Sequence, residues 1–161
     1  MNLKTERLQK QLLNPVTQKL FLWQRLPAAA FMGLRVDAMT LEEGVVSLPY
    51  GWRSQNPFQS IYFAAQAAAA ELSTGLIAML ASANTDRPVS MLVTGMQGTF
   101  SKKATSRTTF HCQEGHKIMN AVARARATGE GVTVSVETVG TQATGGEVAR
   151  FVFTWSFKVK A

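Results

Sequence analysis

The stretch Ala64-Ala65-Gln66-Ala67-Ala68-Ala69-Ala70-Glu71, continuing through Leu72-Ser73-Thr74-Gly75, constrains the fold more than any other part of the chain. The pattern predicts one long helix over residues 59–82, entered after the breaker Gly51-Trp52-Arg53-Ser54-Gln55-Asn56-Pro57. Alanine removes side-chain bulk on several sides of such a helix, so a curved sheet can wrap closely around it. Gln66, Glu71, Ser73, Thr74 and Gly75 interrupt its apolar surface, which makes it a poor membrane span and a suitable buried helix for a soluble domain.

On either side the periodicity shortens to that of strands. Residues 34–40 and 45–50 flank Leu41-Glu42-Glu43-Gly44, a hairpin connection, and four further strands are expected at 89–100, 107–113, 132–139 and 147–159. The last is the clearest: Phe151, Phe153, Trp155, Phe157 and Val159 alternate with Val152, Thr154, Ser156 and Lys158. Ile118, Met119, Val122 and Ala125 recur at helical spacing and predict a short helix over 114–127. At the start, Leu8, Leu12 and Leu13 precede Asn14-Pro15, a cap and first-turn proline for a second helix. That helix carries the apolar stripe Val16, Leu20 and Trp23, and Pro27 is expected to end it. A chain of 161 residues builds one core, so the expectation is an N-terminal helical extension, 1–27, and a single α+β domain, 28–161.

Hydrophobic residues at 46% and charged residues at 17% suit a packed globular chain. The first twenty residues mix Lys, Glu, Arg and Gln among the leucines and lack the apolar core of a secretory signal. Cys112 is the single cysteine and suits a reducing interior, so a cytoplasmic location is expected. The formal charge of +7 favours an anionic partner, whether nucleic acid, a membrane surface or a phosphate-bearing molecule such as coenzyme A. No helix-turn-helix, zinc finger or aromatic RNA-binding signature accompanies that charge. His111, Cys112 and His116 lack the paired spacing of a zinc site, and His111 and Cys112 face opposite sides of a strand, so no metal is expected. Ser73 and Ser101 lack the G-x-S-x-G elbow of serine hydrolases.

One titratable residue stands out. Glu71 shares a helical stripe with Ser60, Ala64, Ala67, Ala68, Gly75, Ala78 and Ser82, none of them a cation. A carboxylate in the middle of a small-residue helix needs solvent, a distant partner or a chemical role, because an unpaired buried charge is costly. As a general base it takes a proton from an attacking water; otherwise it is an exposed or distantly paired glutamate. Asn56 reads either as an amide that orients water or a carbonyl, or as the Asn of a turn.

A long small-residue helix after a hairpin, followed by four strands of a strongly bent antiparallel sheet, resembles the hotdog fold. The local residues Asn56-Pro57-Phe58-Gln59-Ser60-Ile61-Tyr62-Phe63-Ala64, ending in Ala70-Glu71, resemble the helix entry of the phenylacetyl-CoA type thioesterases. Those enzymes carry an Asn, a His-Gly-Gly turn and an acidic residue fifteen positions after the Asn, which is the interval from Asn56 to Glu71. Tyr62 and Phe63 stand where they have His and the first catalytic Gly, and Gln59 replaces an earlier Gly. Phe100-Ser101-Lys102-Lys103-Ala104, the helix at 118–125, and Gly146-Glu147-Val148-Ala149-Arg150 leading into Phe153-Thr154-Trp155 are similar to the hotdog family DUF4442. Together the similarities span residues 31–159.

The resemblance implies a homodimer, or a tetramer of paired dimers, with the site between subunits and a fatty or aromatic acyl-CoA thioester as substrate. Coenzyme A then enters as part of the substrate, with no separate cofactor. Glu71 would be the general base, Asn56 an orienting group, and the Phe63 backbone amide an oxyanion donor at the helix N-terminus. Phe58, Tyr62 and Met96 would line the acyl site, and Lys102, Lys103 and Arg107 would hold the phosphates of coenzyme A. The Tyr62-Phe63 replacement favours an alternative, a non-catalytic hotdog that binds acyl-CoA or lipid. A basic nucleic-acid-binding module ranks third.

Overall fold

The computed structural model describes residues 2–160. Six antiparallel strands form one sheet: β1 (Arg35–Met39), β2 (Gly44–Leu48), β3 (Val89–Phe100), β4 (Thr108–Cys112), β5 (Val132–Gln142) and β6 (Glu147–Val159), in the order β1-β2-β4-β5-β6-β3. The helices are α1 (Leu3–Leu13), α2 (Pro15–Arg25), α3 (Pro27–Met32), α4 (Phe63–Ala83) and α5 (Gly115–Thr128). The sheet curls around α4, whose Ala69, Ala70, Ile77, Ala78 and Leu80 are fully buried. This is the α+β hotdog arrangement expected from the strand order. By length and composition alone α4 could cross a bilayer, but most of its surface is covered by the sheet instead.

Small residues set the distance between helix and sheet. A Cβ at Gly44 on β2 would lie 2.0 Å from the Ser73 carbonyl oxygen, so only glycine permits this approach of strand backbone to helix backbone. Ser73 Oγ donates to Ala70 O at 2.7 Å, which leaves Thr138 Oγ1 on β5 to donate to Ser73 Oγ at 2.8 Å. On β6, Phe151, Phe153, Trp155 and Phe157 face inward as the alternation requires. Trp155 Nε1 donates to Thr74 Oγ1 at 3.0 Å, which ties β6 to the middle of the helix.

The N-terminal helices join this same core through a polar residue. Asn14 Oδ1 caps α2 by accepting from the Val16 and Thr17 amides, with Pro15 at the first helical position. Gln18, only 5% exposed, donates to Leu12 O and Val36 O and accepts from Val36 N, fastening α1 and α2 to β1. That contact turns Leu22 inward beside Leu12, so the expected stripe faces the other way: Val16 is 77%, Leu20 57% and Trp23 48% exposed. Pro27 also departs from expectation. It opens α3 rather than only ending α2, and Gly33, at φ 79°, closes α3 with a left-handed cap.

The long helix begins at Phe63, four residues later than its sequence pattern suggests. Residues 59–62 belong to the entry turn, where Gln59 adopts φ 58°. At the other end of the sheet β3 is an edge strand of twelve residues, with Leu92, Met96 and Phe100 exposed.

The Gly44 contact generates a stability prediction. Gly44→Ala forces strand and helix backbones apart and should cost about 1–3 kcal/mol in urea unfolding, as overpacking of a tight core does. Gly131→Ala, where an added Cβ meets nothing within 4 Å, should change stability by less than about 0.5 kcal/mol.

Candidate active site

The entry to α4 is held by a compact turn built on Asn56. Its Oδ1 accepts from Phe58 N at 3.0 Å, Ser60 N at 3.2 Å and Ser60 Oγ at 3.2 Å, while Gln55 and Ile61 form an antiparallel bridge. Tyr62 N donates to Ser54 O at 2.7 Å, and Ile61 N donates to Ala104 O at 2.8 Å. The helix N-terminus is thereby pinned against the segment that follows β3. Asn56 Nδ2 has no acceptor among the described residues, so the carbonyl half of this amide is spent on the turn and the donor half is free.

Tyr62 occupies the N-cap of α4 and makes no side-chain cap. The first intrahelical donors to Tyr62 O are Ala65 N and Gln66 N, so the Phe63 and Ala64 amides have no acceptor among the described residues. Two uncapped N–H groups at the positive end of a long helix suit an anionic oxygen. The Phe63 ring is half-exposed and packs edge-on against Tyr62 at 4.9 Å between ring centres.

This entry forms one wall of a cavity of about 740 Å³. Phe58, Tyr62, Phe63, Lys102 and Lys103 line it, together with Asn56, and so do Gln66 and Phe100, which the sequence pattern did not single out. Lys103 Nζ donates to Phe58 O at 3.2 Å and Lys102 Nζ to Gly145 O at 3.1 Å. Arg107 and Met96 lie outside this lining: Arg107 donates to Ser47 Oγ at 3.3 Å, and Met96 is on the exposed face of β3.

Glu71 borders a different cavity, of about 290 Å³, between α4 and the α2–α3 junction, with Arg25, Leu26, Pro27, Met32, Ala68 and Leu72. Its carboxylate makes no ion pair or hydrogen bond among the described residues, even with Arg25 in the same lining. Burial raises its pKa above the ordinary 4.5. Gly75 leaves room for Oε1, which would lie 3.3 Å from a Cβ at that position, beside the Trp155 ring. Within one chain Glu71 stands eight residues along the helix from Phe63, a rise of about 12 Å. The two groups therefore cannot serve one small carbonyl group from the same chain.

Nucleophilic alternatives fare poorly. Burial pushes the Cys112 thiol up to about 11, so at neutral pH it is protonated. His111 Nε2, on the interior strand β4, is 2.6 Å from Glu43 Oε2 in a partly exposed pair outside both cavity linings.

Asn56→Asp keeps the acceptor that closes the turn, whereas Asn56→Ala removes it; thermal melts should show the alanine variant less stable by about 1–2 kcal/mol and the aspartate variant closer to the parent. For Glu71 the raised pKa means that the folded protein holds its proton more tightly than the unfolded chain. Stability from the neutral form is full below pH 4.5 and is lost as pH rises through the higher folded value. Glu71→Gln should therefore gain stability relative to the parent as the pH is raised above 4.5, which urea titrations at several pH values measure.

Solved structures similar to this chain share its fold at low identity. A Pseudomonas aeruginosa protein of unknown function, named a probable thioesterase, is 20% identical over 93% of this chain and 99% of its own, with a TM-score of 0.77. A Chlorobaculum tepidum protein of unknown function is 15% identical over 98% of each chain at a TM-score of 0.79. A Haemophilus influenzae thioesterase is 10% identical over 91% of each at 0.64. No curated protein matches the chain. The family described as a domain of unknown function, DUF4442, matches residues 16–157, nearly the whole of the fold from α2 to β6. The chain belongs to the DUF4442 family.

Proposed function

We infer that the protein is an acyl-CoA thioesterase that works in the cytoplasm as a homodimer, with Glu71 as general base and the Phe63 amide as oxyanion donor. The observation that carries this reading is Glu71 itself: a half-buried carboxylate with raised pKa, no partner, and a cavity in front of it. A base so placed costs stability without structural return, and perturbed groups of this kind concentrate at functional sites. The similar Pseudomonas and Haemophilus proteins, named for thioesterase activity, support thioester hydrolysis as the reaction class.

In the proposed reaction Glu71 takes a proton from water as the water oxygen attacks the thioester carbonyl carbon. The carbonyl oxygen becomes an oxyanion and accepts a hydrogen bond from Phe63 N–H, with the helix dipole behind it. When the tetrahedral intermediate collapses, the carbon–sulfur bond breaks and the proton held by Glu71 passes to the leaving thiolate. The products are a free acid and coenzyme A. Asn56 Nδ2, the free half of its amide, is available to orient the water or the carbonyl, and Phe58 and Tyr62 supply an apolar wall for a fatty or aromatic acyl group. Lys102 and Lys103 lie at the rim to receive phosphate; Arg107 is held by Ser47 and contributes at longer range.

The separation of Glu71 from Phe63 along α4 supports the dimer, since Glu71 of one protomer would then act on substrate at the partner subunit's Phe63. A long edge strand with exposed Leu92, Met96 and Phe100 is a surface that a second copy would cover.

Purified protein should release coenzyme A from medium-chain or aromatic acyl-CoA, with kcat/KM rising as pH climbs through the raised pKa of Glu71. Glu71→Gln should lower kcat at least about a hundredfold with the fold intact. Sedimentation should give a dimer. Ligand binding without turnover would instead establish the non-catalytic binding protein, and a fully active monomer would exclude the intersubunit site.

A further inference from the structure

Gln66 sits in the first turn of α4, three residues after Phe63, and is 4% exposed. Its Nε2 donates to Ile61 O at 3.2 Å, but its Oε1, fully buried, has no donor. Turning the amide over does not cure this: Oε1 would then face the Ile61 carbonyl, and Nε2 would be the orphan. Ile61 O therefore fixes the side chain with its acceptor unsatisfied, a state that costs about 1–3 kcal/mol if nothing fills it. The residue lines the 740 Å³ cavity, at the wall shared with Tyr62, Phe63 and Phe100. Tyr62 and Phe63 are half-exposed and packed on each other, so their rings can swing aside for a ligand to reach the amide.

We propose that Gln66 Oε1 is the acceptor for the amide N–H nearest the sulfur in the thiol arm of the thioester, and so selects pantetheine-type thioesters over simple alkyl ones. This rests on the thioesterase reading. The chemistry of the ligand narrows the choice. A thioester group has no hydrogen-bond donor, and neither has a hydrocarbon acyl chain. The first donor in an acyl-pantetheine is the amide two methylenes beyond sulfur, on the order of 5 Å from the carbonyl carbon at ordinary bond lengths. The Gln66 amide reaches back to Ile61 O, so it lies at the helix entry and lines the same cavity as Phe63. An arm of that length can therefore span from a carbonyl on the Phe63 amide to Oε1. Gln66 binds the thiol arm directly and takes no part in proton transfer.

The test compares two substrates with one acyl group: an acyl-pantetheine, and an S-alkyl thioester in which a methylene replaces the amide nitrogen. The parent protein should favour the acyl-pantetheine by about tenfold in kcat/KM, mostly through KM. Gln66→Met, similar in size but without the carbonyl, should lose that preference, its kcat/KM falling about tenfold more for the acyl-pantetheine than for the S-alkyl thioester. Equal losses on both substrates, or a preference that persists in the variant, would overturn the proposal, and so would a parent that does not discriminate. If the variant fails to fold, the discrimination by the parent decides. If the parent hydrolyses neither thioester, the thioesterase reading fails separately. Calorimetric binding of a pantetheine thioether then decides for Gln66: about tenfold weaker affinity in Gln66→Met supports its role, and equal affinity removes it.

Discussion

The contact between the β2 backbone at Gly44 and the α4 backbone at Ser73 fixes the rest of the molecule. With no side chain between them, the helix lies against the strand, and Ser73 and Thr138 join helix to β5 across the opposite side of the contact. Trp155 adds a third anchor at Thr74. These three ties surround one turn of α4, the turn that carries Glu71. The position and rotation of that carboxylate are consequences of core packing, since Thr74 Oγ1, held by Trp155, also donates to Glu71 O at 2.9 Å. A helix with bulkier residues at 69, 70 and 73 would stand further from the sheet, and Glu71 would rotate or rise with it.

The entry of α4 is fixed independently, by backbone bonds from Ser54, Ala104 and the Asn56 turn. Two separately fixed parts of one helix, its N-terminus and its middle, thus carry chemically opposite groups: free N–H donors at Phe63 and Ala64, and an unpaired carboxylate two turns on. An intervening ion pair would have neutralised the second. Arg25 is near enough to line the same cavity, yet it stays outside ion-pair distance, and the carboxylate keeps its raised pKa.

Much of the architecture was legible because it rests on periodicity. The six strands and two main helices follow from alternation in residues such as Phe151, Phe153 and Trp155 and from the alanine run, and each lies within a few residues of its expected span. What escaped the sequence depends on polar residues with buried partners. Gln18 looks like a surface residue of an amphipathic helix, but its amide satisfies backbone groups of both α1 and β1, which reverses the face that α2 presents. The helix starts later than the alanine run suggests because Asn56 bonds to the Phe58 and Ser60 amides that a helix would need and Gln59 takes a left-handed φ. In the candidate site, the fifteen-residue spacing of Asn56 and Glu71 was visible. That the two border different cavities was not, because spacing on a helix says nothing about which surfaces the neighbouring α3 covers.

The aromatic pair at the helix entry bears on how such a site could retain access to substrate. Where the resembling enzymes have His and Gly, Tyr62 and Phe63 present bulk, and a ring over the amide would block a thioester if it were buried. Both rings are instead half-exposed and pack edge-on against each other, a contact worth about 0.5–1.5 kcal/mol. Displacing them costs little compared with the apolar surface that an acyl chain would bury against Phe58 and Phe100. In the proposed thioesterase, bulk at this entry would therefore restrict which ligands enter more than whether any can: a chain with enough hydrocarbon to replace the Tyr62–Phe63 contact would gain access to the free amides, and a short polar acyl group would not.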